Sequence, residues 1–375
     1  MELWDAYDRE GNRLGFDLVR GEPLPEGAYH LVCQVLVRHE NGDYLLMRRD
    51  WNKRYGGLFE LTAGGAVQKG EDAETAARRE LFEETGISDG ALVEFAGDTH
   101  DDYRYIVRRF FLQTACDPSS IVLQPEETVE YRWVSEAELT AILQTDAVTP
   151  YTPHHFARFC AFRDAVPQAL RDEAKRCFEG DGSGHDWFHT QRVMDMARRL
   201  AAEEGADERI VTLAALLHDV DDYKLTGGAM GDTARAERLM GRYGYAPETR
   251  ERVRGIIREV SFKGRDSVVP ATPEGRVVQD ADRLDAIGAI GVARAFAFGG
   301  ARGRAMYDPD EAPAMGLSAA EYAARKGSTV NHFHEKLLLL RDMMNTDAAR
   351  RVAAARHRFM ETFLEEFHSE WRGER

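Results

Sequence analysis

The stretch GGAVQKGEDAETAARRELFEETGI, residues 64–87, decides how the first half of the chain is read. It runs from a glycine turn into a helix. On that helix Glu80, Glu83 and Glu84 stand at i, i+3 and i+4, neighbours on the helical surface with Cβ atoms roughly 5–6 Å apart. Three like charges so close repel one another, and a helix that keeps them needs a cation to offset the repulsion. A ligand set made only of oxygen suits Mg²⁺ or Mn²⁺ better than Zn²⁺.

The fixed positions extend beyond the three glutamates. Gly65, five residues, Glu71, seven residues, then Arg79-Glu80-Leu81-x-Glu83-Glu84-x-Gly86-Ile87 resembles the Nudix box at every fixed position. The resemblance implies an α/β/α sandwich with a mixed sheet and hydrolysis of a nucleoside diphosphate linked to another group. It also implies that Glu80, Glu83 and Glu84 hold Mg²⁺ or Mn²⁺, with Glu83 and Glu84 acting in catalysis. Glu71 and Arg79 would pair to support the loop and helix, together with Gly65 and Gly86.

The remainder of the chain is too long for that domain alone. At 375 residues it has room for two or three domains, and we read two, 1–165 and 166–375. With 43% hydrophobic and 30% charged residues, each can bury an ordinary core. The opening MELWDAYDREG has neither a basic nor an apolar signal region, and no apolar run approaches the roughly 18 residues of a membrane span, so a cytoplasmic location with no membrane partner is expected. Cys33, Cys116, Cys160 and Cys177 form no CxxC pair and no zinc spacing, which points to reduced thiols. The net charge is −16, of which −13 lies in residues 1–165. Neither half has the basic excess of a nucleic-acid surface. An acidic domain that handles phosphates must do so through metal ions.

Around the opening stretch, strands are expected at Trp4–Leu18 as a hairpin, at 29–38 and 44–48 about the Glu40-Asn41-Gly42-Asp43 turn, and at 58–61. Further strands follow at 92–96, 103–114 and 128–134, with helices at 136–143 and 154–165, the second beginning after Pro150 and Pro153 break the chain. The "WDAYDREGNRLG" and "LTAGGAV" segments look like the Nudix branch related to isopentenyl-diphosphate isomerases. Those isomerases need a cysteine near the box; none stands between Leu45 and Ile87, which favours hydrolysis. Outside the box, Glu126 and Glu127 are candidates for a further ligand or base, and Arg48, Arg49 and Lys53 for phosphate contacts, Arg49 foremost.

From about residue 166 the pattern is helical. Apolar residues recur at Val193, Met196, Ala197 and Leu200, then at Ile210, Leu213, Ala214 and Leu217. Gly299–Gly303 and Asp308–Pro313 read as loop. Three segments carry chemistry: "GHDWFHTQRV" with His189, "AALLHDVDDYK" with His218-Asp219, and "VQDADRLDAIGA" with Asp280, Asp282 and Asp285. Two imidazoles and two carboxylates make a mixed set suited to one divalent transition metal or Mg²⁺. The order H…HD…D resembles the HD phosphohydrolase superfamily, in its nucleotide pyrophosphohydrolase-like subgroup, and so implies an all-α domain. Carried over, the ligands are His189, His218, Asp219 and Asp282, the last preferred because Arg283-Leu284 follows it, with Asp219 also catalytic. No histidine lies between His218 and His332, so a single metal ion is expected. Lys224, Lys263 and Arg283 are candidate phosphate contacts.

The expectation is a bifunctional, metal-dependent nucleotide phosphohydrolase acting on small molecules. One half cleaves a diphosphate linkage; the other hydrolyses a nucleotide, either a triphosphate or a product of the first. Gating of one catalytic domain by nucleotide sensing in the other, and alarmone hydrolysis in the second half, are the competing readings.

Overall fold

The computed structural model describes residues 2–179, 186–222, 231–260, 268–316 and 327–374. The chain divides into two compact units, residues 1–167 with 240–247, and residues 168–239 with 248–375.

In the first unit, β1 (Leu3–Tyr7) and β2 (Arg13–Val19) form the expected antiparallel hairpin. The main sheet is organised on β3 (His30–His39), whose near-continuous apolar run suits a strand covered on both faces. Its neighbours include β4 (Tyr44–Arg49), antiparallel, and β8 (Tyr105–Thr114), parallel over ten residues. β5 (Phe59–Leu61) and β9 (Thr128–Val134) pair with β4, and β7 (Leu92–His100) pairs with β8. The sheet is therefore mixed. β7 continues four residues beyond its expected end.

The sequence reading passed over one strand: β6 (Ala63–Ala66) contains the glycine pair and lies antiparallel to β3, with Cys33 opposite Gly65 and Gln34 opposite Gly64. The glycines thus form a strand edge leading to the metal-type helix α1 (Ala73–Thr85). Asp72 caps that helix by accepting from the Thr75 N–H at 2.8 Å, and Gly86 ends it in the left-handed conformation. Ala76, Ala77 and Leu81 of α1 bury against one face of the sheet. The other face is covered by α2 (Glu136–Ile142) and α3 (Thr152–Asp164) through Leu139, Phe156 and Phe159, which completes the α/β/α sandwich. Pro153 lies in the first turn of α3 rather than before it, where a missing N–H costs nothing.

From residue 168 the chain is helical, with no strand among its described residues: α4 (Gln168–Arg176), α5 (Trp187–Glu204), α6 (Glu208–Leu217), α7 (Ala234–Arg242), whose end from Met240 is counted with the first unit, α8 (Pro247–Val260), α9 (Pro273–Asp285), α10 (Gly288–Ala301), α11 (Thr329–Glu335), a 3₁₀ turn (Leu337–Met343) and α12 (Asp347–Trp371). Every residue of α6 from Ile210 to Leu217 is buried, the signature of a central helix. Each fully buried leucine or isoleucine there contributes about 1.5–3 kcal/mol. On α5 the buried stripe includes Met194, whereas Met196, expected inside, is only half-buried. Gly299 and Gly300, read as loop, belong to the last turn of α10. Asp280 caps the chain entering α12 by accepting from the backbone N–H groups of Asn345 and Thr346 at 2.8 Å each. No disulfide joins the four cysteines. No single helix among the described residues is long and apolar enough to cross a membrane.

Glu136 at the start of α2 accepts two hydrogen bonds from Arg163, at 2.9 and 3.0 Å, and one from the Tyr44 hydroxyl at 3.0 Å. Burial pushes its carboxyl up, but these donors outweigh burial and hold it below its ordinary 4.5. A depressed folded value means that the stabilisation is fully present above about pH 4.5 and is lost as pH falls through the folded value. Glu136→Gln is expected to reduce the difference in melting temperature between pH 7 and pH 3; an unchanged difference would refute this contribution.

Candidate active sites

In the first unit, α1 and β6 bring the box residues together. Arg79 lies at the centre: its Nε and Nη2 donate to the two oxygens of Glu71 at 2.9 and 3.0 Å, and its Nη1 donates to Glu80 at 2.8 Å and Glu83 at 3.3 Å. Glu71 also accepts from the Gln68 N–H at 3.0 Å, so the loop before the helix is tied to the helix by one arginine. Glu84 is the deepest of the acidic trio, 6% exposed, and accepts from the Gly64 N–H at 3.3 Å. Burial drives its carboxyl well above the ordinary value, and the charges of Glu60 and Glu80 add to the effect. Burial also raises Glu80, against the pull of Arg79.

Glu60, on β5, was not anticipated from the sequence. It accepts from Arg49 Nη1 and from the Tyr151 hydroxyl, each at 2.6 Å, and is near enough to Glu84 to raise its carboxyl. A signal was present, since an acidic residue in the short strand before the glycine pair must lie close to whatever the turn presents. Arg49 is thus an ion-pair partner of Glu60. Glu127 is paired with Lys53, and its charge reaches both Glu80 and Glu84, whereas Glu126 is exposed. Arg48 pairs with Glu130 at 2.8 Å and stacks over Phe59.

Two observations test whether a divalent cation fits here. A Cβ added at Gly65 would lie 2.2 Å from Glu80 Oε1, so the glycine is what lets that carboxylate stand against the strand. Second, carboxylates buried beside one another are in an environment that only added positive charge relieves. The residues present fit the ion.

In the second unit, three helices meet. Asp186 caps α5 and accepts from the His189 N–H at 2.8 Å, fixing His189 in the first turn. The buried helix α6 delivers His218 and Asp219 at its end, and α9 delivers Asp282. His189 Nε2 lies 3.4 Å from Asp219 Oδ2 and 3.4 Å from Asp282 Oδ1; His218 Nε2 lies 3.3 and 3.9 Å from the same two atoms. One potential donor atom each from His189, His218 and Asp219 falls within 4.8 Å of the others.

The far nitrogens hold the rings in place. His218 Nδ1 lies 2.8 Å from the Ala215 carbonyl, and His189 Nδ1 lies 2.7 Å from Asp285 Oδ2. Asp285 is in turn clamped by Arg192, at 2.7 and 3.0 Å, and by Arg294 at 2.6 Å. Carboxylates and carbonyls behind the imidazoles orient metal-binding histidines in this way. His218 Nε2, buried, has no hydrogen-bond partner among the described residues, which is the position a cation would fill. Burial would lower both imidazoles, yet the surrounding aspartates raise them, His189 strongly.

The three aspartates of α9 separate cleanly. Asp280 caps α12, Asp285 orients His189, and the carboxylate of Asp282 faces both Nε2 atoms. Arg283, expected as a phosphate contact, is buried and donates to the Met343 carbonyl, one residue along a helix turning its side chain about 100° from that of Asp282. Lys224 and Lys263 lie outside the described residues.

Residues 28–159 match the model of the NUDIX domain, and residues 187–287 match that of the HD domain. YpgQ of Bacillus subtilis is 40% identical over 199 residues, covering 52% of this chain and 89% of its own length. The Nudix hydrolase lmo0368 of Listeria monocytogenes is 33% identical over 158 residues, 40% of this chain and 90% of its own. Among solved structures, an HD-superfamily hydrolase from Bacillus thuringiensis is 41% identical and covers 55% of this chain and 96% of that one, with a TM-score of 0.44. The structure of YpgQ in complex with ADP is 37% identical, covers 54% and 93%, and has a TM-score of 0.43.

Two substitutions probe these arrangements. Gly65→Ala forces Glu80 away from its seat and is expected to weaken Mn²⁺ binding by the first unit about tenfold or more, read by calorimetry, with the fold retained. Asp285→Asn leaves the His189 ring without its carboxylate and is expected to weaken Mn²⁺ binding by the second unit about 10–100-fold. Wild-type affinity in either variant would contradict the role given to that residue.

Proposed function

This chain belongs to the Nudix hydrolases over its N-terminal half and to the HD-superfamily hydrolases over its C-terminal half, and from that premise we propose a bifunctional nucleotide phosphohydrolase. The Nudix half cleaves a diphosphate linkage in a nucleoside diphosphate derivative. The HD half hydrolyses a nucleotide, either a triphosphate or a product of the first reaction. The observation that carries this reading is the pair of separate ligand sets, Glu80 with Glu83 and Glu84 in one unit and His189, His218, Asp219 and Asp282 in the other, each oriented by groups behind it.

In the Nudix half the trio would hold Mg²⁺ or Mn²⁺. Glu84 is fixed by the Gly64 N–H, while Glu83, the most exposed of the three, has access to an attacking water. In the HD half His189, His218, Asp219 and Asp282 would hold one divalent ion. A divalent ion in such a site lowers the pKa of water and neutralises charge developing on phosphate oxygens. Asp219, within 3.4 Å of both imidazoles, is the group of this chain placed to accept a proton there.

The test is turnover of the purified chain with nucleoside triphosphates, sugar nucleotides, dinucleoside polyphosphates and ADP, in Mg²⁺ and in Mn²⁺. ADP is included because YpgQ, related in sequence to the HD half, was crystallised with it. Glu83→Gln with Glu84→Gln is expected to lower one class of turnover by about 100-fold or more and spare the other, and His218→Ala with Asp219→Ala to do the reverse. If neither pair alters turnover, the reading fails. If either pair abolishes every activity, one reaction gated by the other half replaces two independent ones.

A further inference from the structure

On the Nδ1 side of His189 lies a cavity of about 310 Å³, walled by α5, α9, α10 and α12. It shares Asp285 with the HD centre but none of the four side chains assigned to the metal. Three arginines line it: Arg192, Arg199 and Arg356.

Their charges are not equally satisfied. Arg192 is committed to Asp285, which also takes Arg294 and His189. Arg199 reaches Glu203 only at 3.5 Å, and Glu203 is already paired with Arg351 at 2.6 Å. Arg356 donates to the Leu284 carbonyl and makes no ion pair among the described residues. Its stem is held in place: a Cβ on Gly288, where φ is +78°, would come 2.9 Å from Arg356 Cγ. Burial weakens the hold of Arg356 on its proton, Asp285 offsets part of this, and Arg199 opposes it again. The one other acid on the wall, Asp195, is exposed and makes no ion pair among the described residues.

Arg199, largely exposed, and Arg356 stand on the wall of one concavity whose nearest acid, Asp285, is already held by Arg192, Arg294 and His189; such a pair is suited to an anion, and arginine pairs match the oxygens of phosphate. The remaining wall is apolar. Met196, half-buried where the helical pattern expected it inside, and Ile290, 45% exposed, both face the cavity. The volume lies at the lower end of the roughly 300–1,000 Å³ of small-molecule sites.

We propose that this cavity is a second ligand site for a small phosphomonoester, with the phosphate between Arg199 and Arg356 and the organic part against Met196 and Ile290. The site is independent of the reaction assigned to the HD centre. It requires no metal, and that property separates the two experimentally.

AMP serves as the probe, titrated by calorimetry into the full chain in excess EDTA. A dissociation constant below about 1 mM is expected. Arg199→Glu, an exposed position that leaves the core untouched, and Arg356→Gln are each expected to weaken binding about tenfold or more. His218→Ala with Asp219→Ala is expected to leave it unchanged. Inorganic phosphate should bind more weakly than AMP, and equal affinity would remove the apolar half of the proposal. No binding of AMP at about 5 mM in EDTA, or binding lost in the His218/Asp219 variant but kept in Arg199→Glu, overturns it.

Discussion

The constraint on which both catalytic regions depend is the burial of like charges. Glu84 is almost wholly out of water beside Glu80 and Glu60, and Asp219 and Asp282 converge on two buried imidazoles. Charges taken out of water cost several kcal/mol each unless something opposite is near. In each unit the protein meets part of that cost with arginine, which in the first bonds Glu80 and Glu83 directly and in the second stands behind His189. Arg79 holds Glu71 and the flank of Glu80; Arg192 and Arg294 hold Asp285, which in turn holds His189.

This division explains why supporting residues matter as much as ligands. Gly65 contributes no polar group, yet its missing Cβ is the space in which Glu80 stands. Asp285 is bonded to the ring nitrogen of His189 that faces away from the other ligands, and so fixes which nitrogen is presented. Removing either changes geometry before it changes charge.

How much of this was legible in the sequence follows from the range of each interaction. The Glu80, Glu83 and Glu84 cluster could be read because helical spacing alone makes those side chains neighbours. The hairpin about residues 40–43 and the strands flanking it were read from short-range turn chemistry. The HD set was legible only as a pattern of residue types, since His189 and Asp282 are joined by packing across three helices. Glu60 was missed because its setting is completed by Tyr151, far along the chain, although its place in the strand before the glycine pair was a local signal. The surroundings of Arg283 were not legible because helical rotation sends its side chain to the Met343 carbonyl while that of Asp282 faces the imidazoles. β6 was hidden by its glycines, which read as turn and are instead paired to β3.

Helix α9 carries that last lesson furthest. Its three aspartates lie within six residues and differ little in local sequence, yet each has its own partners. The 100° step per residue sends Asp280 to the backbone of Asn345 and Thr346, while Asp282 and Asp285, one turn apart, share a face toward His189. On that shared face the order is forced. Asp285 is already engaged by two arginines and by His189 Nδ1, with three of the four contacts on Oδ2. Asp282, half-buried, is lowered to about 2 by the imidazoles against the opposing effect of desolvation and is directed at them. A carboxylate that keeps its charge, and is not claimed by an arginine, is the one a cation can use.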